Sequence, residues 1–259
     1  MEEDAGKSLH VGGSDGRISG ASHSLMDYNR AGVPLIEIVT KPIRGLGAKA
    51  PQVARAYMAQ LRDIMIALGV SEARMERGNL RCDANVSLMP RGSETLGTRT
   101  ETKNVNSLRS VEGALRYEIQ RQGYLLSEGR KVRQQTRMWQ EAGEYTIAGR
   151  DKSDAEDYRY FPEPDLLPVV IDEAYIDTLR AGLPELPNEK RQRFVQQYGL
   201  GAYDANVLAA SRELADYFEA VVAACGEAKS AANWVQVELL GQLNKGELNI
   251  EECPVSAAA

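Results

Sequence analysis

Four short stretches carry carboxylates that could do chemistry, three of them beside cations. Glu2, Glu3 and Asp4 precede a Gly6–Lys7 pair. Glu37 is the single charge inside the apolar run VPLIEIV at 33–39. Asp83 alternates with Arg81 in RCDANVSL, and Glu101 lies between Arg99 and Lys103 in TRTETKNV at 98–105. Hard cations such as Mg2+ take oxygen ligands, commonly one or two carboxylates together with substrate phosphates. Arg81, Arg99 and Lys103 would then offset phosphate charge. An enzyme that forms an acyl phosphate needs this set of groups. The same residues also fit the solvent face of an antiparallel sheet with charges paired across strands. Pattern alone favours that plainer reading, except at Glu37, whose apolar flanks give a carboxylate there a functional reason.

Other candidate signals are weaker. The glycines at 12, 13, 16 and 20 do not make a dinucleotide fingerprint, and Gly6-Lys7-Ser8 lacks the upstream glycine of a phosphate-binding loop. His10 and His23 have no partner at metal-ligand spacing and read as surface residues in a polar loop. Cys82 falls on the apolar side of its strand and reads as core. The segment 157–165, DYRYFPEPD, is a rigid aromatic turn. Tyr158, Arg159 and Tyr160 suit stacking on a base, and serve equally well as an aromatic plug under a loop.

The elements that must position these groups follow from hydrophobic period. VPLIEIV reads as a central strand. Val53, Tyr57, Leu61, Ile64 and Leu68 recur at helical spacing and predict a helix over 51–68, with Pro51 in its first turn. Leu80, Cys82, Ala84, Val86 and Leu88 alternate with polar residues and predict a strand over 80–88. A second strand is predicted over 98–105, with Arg99, Glu101, Lys103 and Val105 on one face. Asn106 or Ser107 caps a helix carrying Leu108, Val111, Leu115 and Ile119. A hairpin follows over 131–148 with its turn near Gly143, then a strand at 167–171. Helices are expected near 173–181, 188–198, 211–224 and 229–243.

With 259 residues, 43% hydrophobic and 26% charged, the chain has the composition of an ordinary globular protein and excludes disordered and fibrous classes. No apolar run approaches the ~20 residues of a membrane span, and three scattered cysteines make neither a disulfide framework nor a zinc site. These features suggest a cytoplasmic protein with no membrane partner. Net charge is −6, spread unevenly: residues 1–170 carry +1 and residues 171–259 carry −7. The acidic second part argues against gripping nucleic acid by bulk charge. Strands and helices mix in the first part and only helices follow, which gives an α+β class with a domain over 1–178 and an all-helical domain over 179–259.

Several strings are specific enough to carry a resemblance. They are MEEDAGKS at 1–8, HSLMDYNRAGVPLIEIV at 23–39, RMERGNLRCDANVSL at 74–88 and GTRTETKNVNS at 97–107. EDYRYFPEPD at 156–165 and ELPNEKRQRFVQQYGLGAYDANVL at 185–208 complete the set. Together they resemble the GatB family, the B subunits of the aspartyl/glutamyl-tRNA(Asn/Gln) amidotransferases. The resemblance implies a glutamine-synthetase-like mixed-sheet catalytic cradle followed by a helical domain. It implies an ATP-dependent carbon–nitrogen ligase activity, with ATP and Mg2+ as cofactors. Glu-tRNA(Gln) or Asp-tRNA(Asn) would be phosphorylated on the side-chain carboxylate. Ammonia, released from glutamine by the amidase subunit of the complex (GatA), would then amidate it. A small third subunit (GatC) would complete the heterotrimer.

The resemblance further implies that Glu3, Glu37 and Lys103 are catalytic. Arg81, Arg99 and Lys103 would face the ATP phosphates, and Glu3, Glu37, Asp83 and Glu101 would hold the metal. Read from the aromatic turn itself, Tyr158, Arg159 and Tyr160 are expected to contact tRNA. The family pattern begins earlier and ends later, so the chain is expected to lack the N-terminal part of the cradle and the C-terminal tail domain. Arg77 stands where the string often has a second Glu. The alternative is a non-catalytic piece that contributes only tRNA or partner contacts. A ligase for free amino acids is disfavoured, because the match continues into the helical part.

Overall fold

A computed structural model of the chain describes residues 2–3, 7–12, 20–151 and 167–258. The chain forms two compact units, Met1–Leu46 and Gly47–Ala259.

The first unit holds two short antiparallel ladders. Strand β1 (Glu2–Glu3) pairs with β4 (Pro34–Leu35), and β2 (Lys7–Val11) pairs with β3 (His23–Asp27). The predicted central strand over 33–39 is therefore corrected: only Pro34 and Leu35 are in a strand, and Glu37 lies beyond it. Pro34 has no N–H to give to a ladder, and β4 has one partner two residues long. No described residue of this unit is buried, and Ile36 and Val39 are 70% and 80% exposed. The apolar flanks of Glu37 thus do not form a core around it. His10 and His23 belong to β2 and β3 rather than to a loop, with Nδ1 of each 2.8–2.9 Å from a serine hydroxyl, Ser24 and Ser22 respectively.

The second unit opens with helix α1 (Ala50–Ala67), with Pro51 in its first turn as predicted. Four strands, β5 (Ala84–Val86), β6 (Thr100–Lys103), β7 (Gln135–Gln140) and β8 (Tyr145–Asp151), form one sheet in the order β5-β6-β7-β8. The outer pairs are antiparallel and β6–β7 is parallel. A parallel pair needs a crossover, and α2 (Leu108–Ser127) supplies it. Ser107 is the N-cap, accepting from the Ser110 backbone N–H at 2.9 Å. The β7–β8 hairpin turns at 141–144 near Gly143, as its sequence predicts. Mixed sheet and covering helices make the fold α+β.

The two strands that carry charge are shorter than their alternation predicts. Burial still alternates over 80–86, with Ala84 inward and Arg81, Asp83 and Asn85 exposed. Val105 departs from the predicted face. Asn104 adopts φ 64°, a left-handed conformation that asparagine tolerates, and its Nδ2 donates to the Trp139 carbonyl at 2.9 Å. That kink ends the period of two after Lys103 and turns Val105 into the core, where it is 3% exposed. Val105 packs there with Met75, Ala84, Val111, Ala114, Leu115 and Trp139. Gly113 lets the Trp139 ring close on α2, since a Cβ there would sit 3.1 Å from the indole Cζ2.

Residues 167–171, predicted as a strand, pair with nothing among the described residues and are exposed. From there the chain is helical: α3 (Glu173–Gly182), α4 (Pro187–Tyr198), α5 (Ala202–Leu208) and α6 (Arg212–Cys225). Helix α5 is too short for its period to be read. The helix predicted over 229–243 is three consecutive segments, α7 (Ala228–Asn233), a π-helix (Trp234–Leu239) and α8 (Leu240–Lys245). Ala231, Val235, Leu239 and Leu243 recur every fourth residue and are all buried. An α-helix of 3.6 residues per turn carries such a series steadily around its axis. The wider π turn brings it back to one side. A second core forms here around Phe194, Leu208, Phe218 and Val235, with the Phe194 and Phe218 rings 5.2 Å apart.

Candidate active site

Three of the charged candidates meet on the outer face of the sheet. Strand β6 turns Thr100 and Thr102 inward, both fully buried, so Glu101 and Lys103 project from the opposite side. The Lys103 ammonium donates to Asp83 Oδ2 at 2.9 Å and lies 3.8 Å from Glu101 Oε1. On the parallel neighbour β7, the Thr136 hydroxyl donates to Glu101 Oε2 at 2.9 Å. Lys103 and Asp83 keep 41% and 45% of their side-chain surface in solvent, so the pair adds about 0–1 kcal/mol to stability. Its interest is chemical: the Lys103 cation sits between two carboxylates, Glu101 on its own strand and Asp83 just ahead of β5.

Arg99 joins this face. With Glu101, Gln134, Gln135 and Thr136 it lines a depression of about 10 Å³, at the margin for one water. Arg81 is exposed, two residues before Asp83. Glu37 belongs to the first unit, exposed beyond β4. Of Glu3 the backbone is described, opposite Pro34 in the β1–β4 ladder. Tyr158, Arg159 and Tyr160 lie outside the described residues. Among the described residues no three His, Cys, Asp or Glu side chains are placed to hold a metal ion together. Asp83 and Glu101 nonetheless offer the hard oxygen donors that Mg2+ takes in pairs alongside phosphates. The donor chemistry fits the ion.

Cys82, between Arg81 and Asp83, points the other way and packs against the sheet core. Burial, aided by the Asp83 charge, pushes its thiol up to about 11, so it is a filler rather than a nucleophile.

The sequence reading missed the other side of the same strands. Glu118 on α2 is fully buried. Its carboxylate accepts from Arg121 at 2.7–3.1 Å, from the Thr100 hydroxyl at 2.9 Å and from the Thr146 hydroxyl. Arg137 Nε lies 2.7 Å from the same carboxylate and 2.7 Å from the Thr146 hydroxyl. Gln122, also buried, donates to Thr100 Oγ1 and to the Val86 carbonyl at 2.9 and 3.1 Å. Burial pushes the Glu118 carboxyl up, but hydrogen bonds from Arg121 and Thr146 outweigh it and hold the group below the usual range. A signal for this network existed. Glu118 and Gln122 continue the apolar stripe of Val111, Ala114 and Leu115, where a helix should bury carbon.

The comparisons with known proteins bear on the same stretch. Residues 1–177 match the GatB/GatE catalytic domain, and residues 216–259 match a second GatB domain. The chain belongs to the GatB family. It is 76% identical over 252 residues to the B subunit of the aspartyl/glutamyl-tRNA(Asn/Gln) amidotransferase of Cutibacterium acnes, covering 97% of this chain and 50% of that one. It is 55% identical over 256 residues to the protein of the same name from a Nocardioides species, covering 99% and 51%. For Streptomyces avermitilis the identity is 54% over 258 residues, covering 100% and 51%. The chain spans about half the length of the curated relatives it matches. Asp83, Glu101, Lys103 and the Glu118 network all fall within the part matched to the GatB/GatE catalytic domain.

Proposed function

We propose that this chain works within the B subunit of a tRNA-dependent amidotransferase and carries part of its phosphorylation and amidation site. An oxygen of the side-chain carboxylate of Glu on tRNA(Gln), or of Asp on tRNA(Asn), bonds to the γ-phosphorus of ATP. The bond from that phosphorus to the β,γ-bridging oxygen breaks and ADP leaves. Ammonia, released from glutamine by the amidase partner GatA, then bonds to the acyl carbon. The carbon–oxygen bond to phosphate breaks, and the nitrogen gives up a proton to leave Gln or Asn on the tRNA. The small partner GatC accompanies the pair, and the assembly works in the cytoplasm.

In this reading Lys103, Arg81 and Arg99 face the phosphates, where fixed cations stabilise charge that develops in transfer. Asp83 and Glu101 would hold Mg2+, with Glu3 and Glu37 as further carboxylate ligands in this proposal, and the ion when bound would neutralise phosphoryl oxygens. Tyr158, Arg159 and Tyr160 contact the tRNA, and the mixed sheet belongs to a glutamine-synthetase-like cradle. The observation that supports the reading most directly is the Asp83–Lys103–Glu101 cluster, placed on one sheet face within the part matched to a catalytic domain.

The test is substitution in the complete complex. Glu37→Gln and Asp83→Asn should each lower formation of amidated aminoacyl-tRNA by roughly 100-fold or more, while hydrolysis of glutamine by the amidase partner continues. Undiminished amidation in both variants would remove these carboxylates from the site.

A further inference from the structure

The buried carboxylate of Glu118 touches residues of three consecutive strands, Thr100 on β6, Arg137 on β7 and Thr146 on β8, from its own position on α2. Two of those contacts stand one residue away from the outer-face pair already described. Glu101 follows Thr100 on β6, and Thr136 precedes Arg137 on β7. In the parallel register Glu101 lies opposite Thr136, and Thr102 opposite Arg137. The Glu101–Thr136 hydrogen bond is therefore backed, on each strand, by an inner contact to one fully buried group.

Successive strand residues point to opposite faces. Holding Thr100 and Arg137 inward thus fixes the phase in which Glu101 and Thr136 point outward. Arg121 grips the same carboxylate with Nε and Nη2, and Gln122 fixes the Thr100 hydroxyl from one turn further along the helix. The inner face of the sheet presents the buried Arg137 guanidinium and the Thr100 and Thr146 hydroxyls, and the Glu118 carboxylate meets all three, so this paired network orients the strands directionally.

From this we infer that Glu118 is a positioning residue: through Thr100 and Arg137 it sets the place of the Glu101 carboxylate on the outer face. The inference rests on the proposed role of Glu101 at the phosphoryl-transfer site and deepens it. Displacing a site carboxylate by a fraction of an ångström costs turnover without touching the reacting atoms.

The experiment uses the full-length protein in its complex and reads ATP turnover as Mg2+ is titrated. Thr100→Val keeps the shape of the side chain but removes its hydroxyl contacts to Glu118 and Gln122. It should raise the Mg2+ concentration for half-maximal turnover and lower the maximal rate by roughly 10- to 100-fold. Thr100→Ser, which keeps the hydroxyl, should restore both. Thermal unfolding and partner glutamine hydrolysis report folding and assembly of each variant. A loss in Thr100→Val that only tracks the amount of folded complex, with the Mg2+ requirement unmoved, overturns the positioning role. Glu101→Gln separates the two levels. If it abolishes turnover while Thr100→Val leaves the Mg2+ dependence unchanged, the positioning role alone falls. If Glu101→Gln retains full turnover, the assignment of Glu101 falls and the positioning role with it.

Discussion

Arg191 on α4 donates from Nη2 to Asp63 on α1 at 2.8 Å, across 128 residues of sequence. The pair joins the helix beside the sheet to the all-helical part of the second unit. Both side chains are about three-quarters covered, 23% and 25% exposed, and Arg191 Nη1 donates to Asn188 at 2.8 Å. A partly desolvated, hydrogen-bonded ion pair contributes more than one in open solvent. Asp63→Asn is expected to lower unfolding stability by about 1–2 kcal/mol and to make the 167–186 stretch more open to protease. Urea unfolding and limited proteolysis check it; unchanged cleavage would show that other contacts hold the two parts together.

Glu118 makes a pH prediction. Its carboxyl is held below the usual range by Arg121 and Thr146 in spite of burial. A group with a depressed folded pKa contributes stability above its unfolded value, about 4.3, and loses that contribution as pH falls through the folded value. The contribution is therefore level at neutral pH and falls away below about pH 4. Glu118→Gln leaves two arginines facing a neutral amide and should cost about 3–5 kcal/mol at pH 7. It should also flatten the acid side of the stability curve. Urea midpoints between pH 7 and 3 test this, and an acid slope equal to that of the parent would contradict it.

Cys82 and Cys225 should separate cleanly in their reactivity. Burial and Asp83 push the Cys82 thiol up to about 11, leaving about one thiolate in a thousand at pH 8. Cys225 is exposed at the end of α6. Iodoacetamide at pH 8 should label Cys225 well before Cys82, and Cys82 should follow only when denaturant opens the core. Peptide mass spectrometry reads the order, and equal rates would place Cys82 in solvent.

The sequence alone was enough for the α+β class, the family resemblance and most helices. It was also enough for the grouping of Glu101 and Lys103, since a period of two places residues two apart on one face whatever surrounds them. It likewise narrowed the helix cap to Asn106 or Ser107 and located the hairpin turn near Gly143, because both are set by residues within a few positions of each other. Tertiary structure decided the rest. That Asp83 meets Lys103 depends on β5 pairing with β6, a choice of neighbour that local pattern does not carry. Val105 turned inward because Asn104 found a carbonyl 35 residues away. Among the described residues of its unit the apolar run around Glu37 is exposed, because hydrophobic residues are buried only where another layer packs on them. The Glu118 network was least legible: a charge on a helix face reads as solvent until the arginines and threonines that surround it are brought together from other strands.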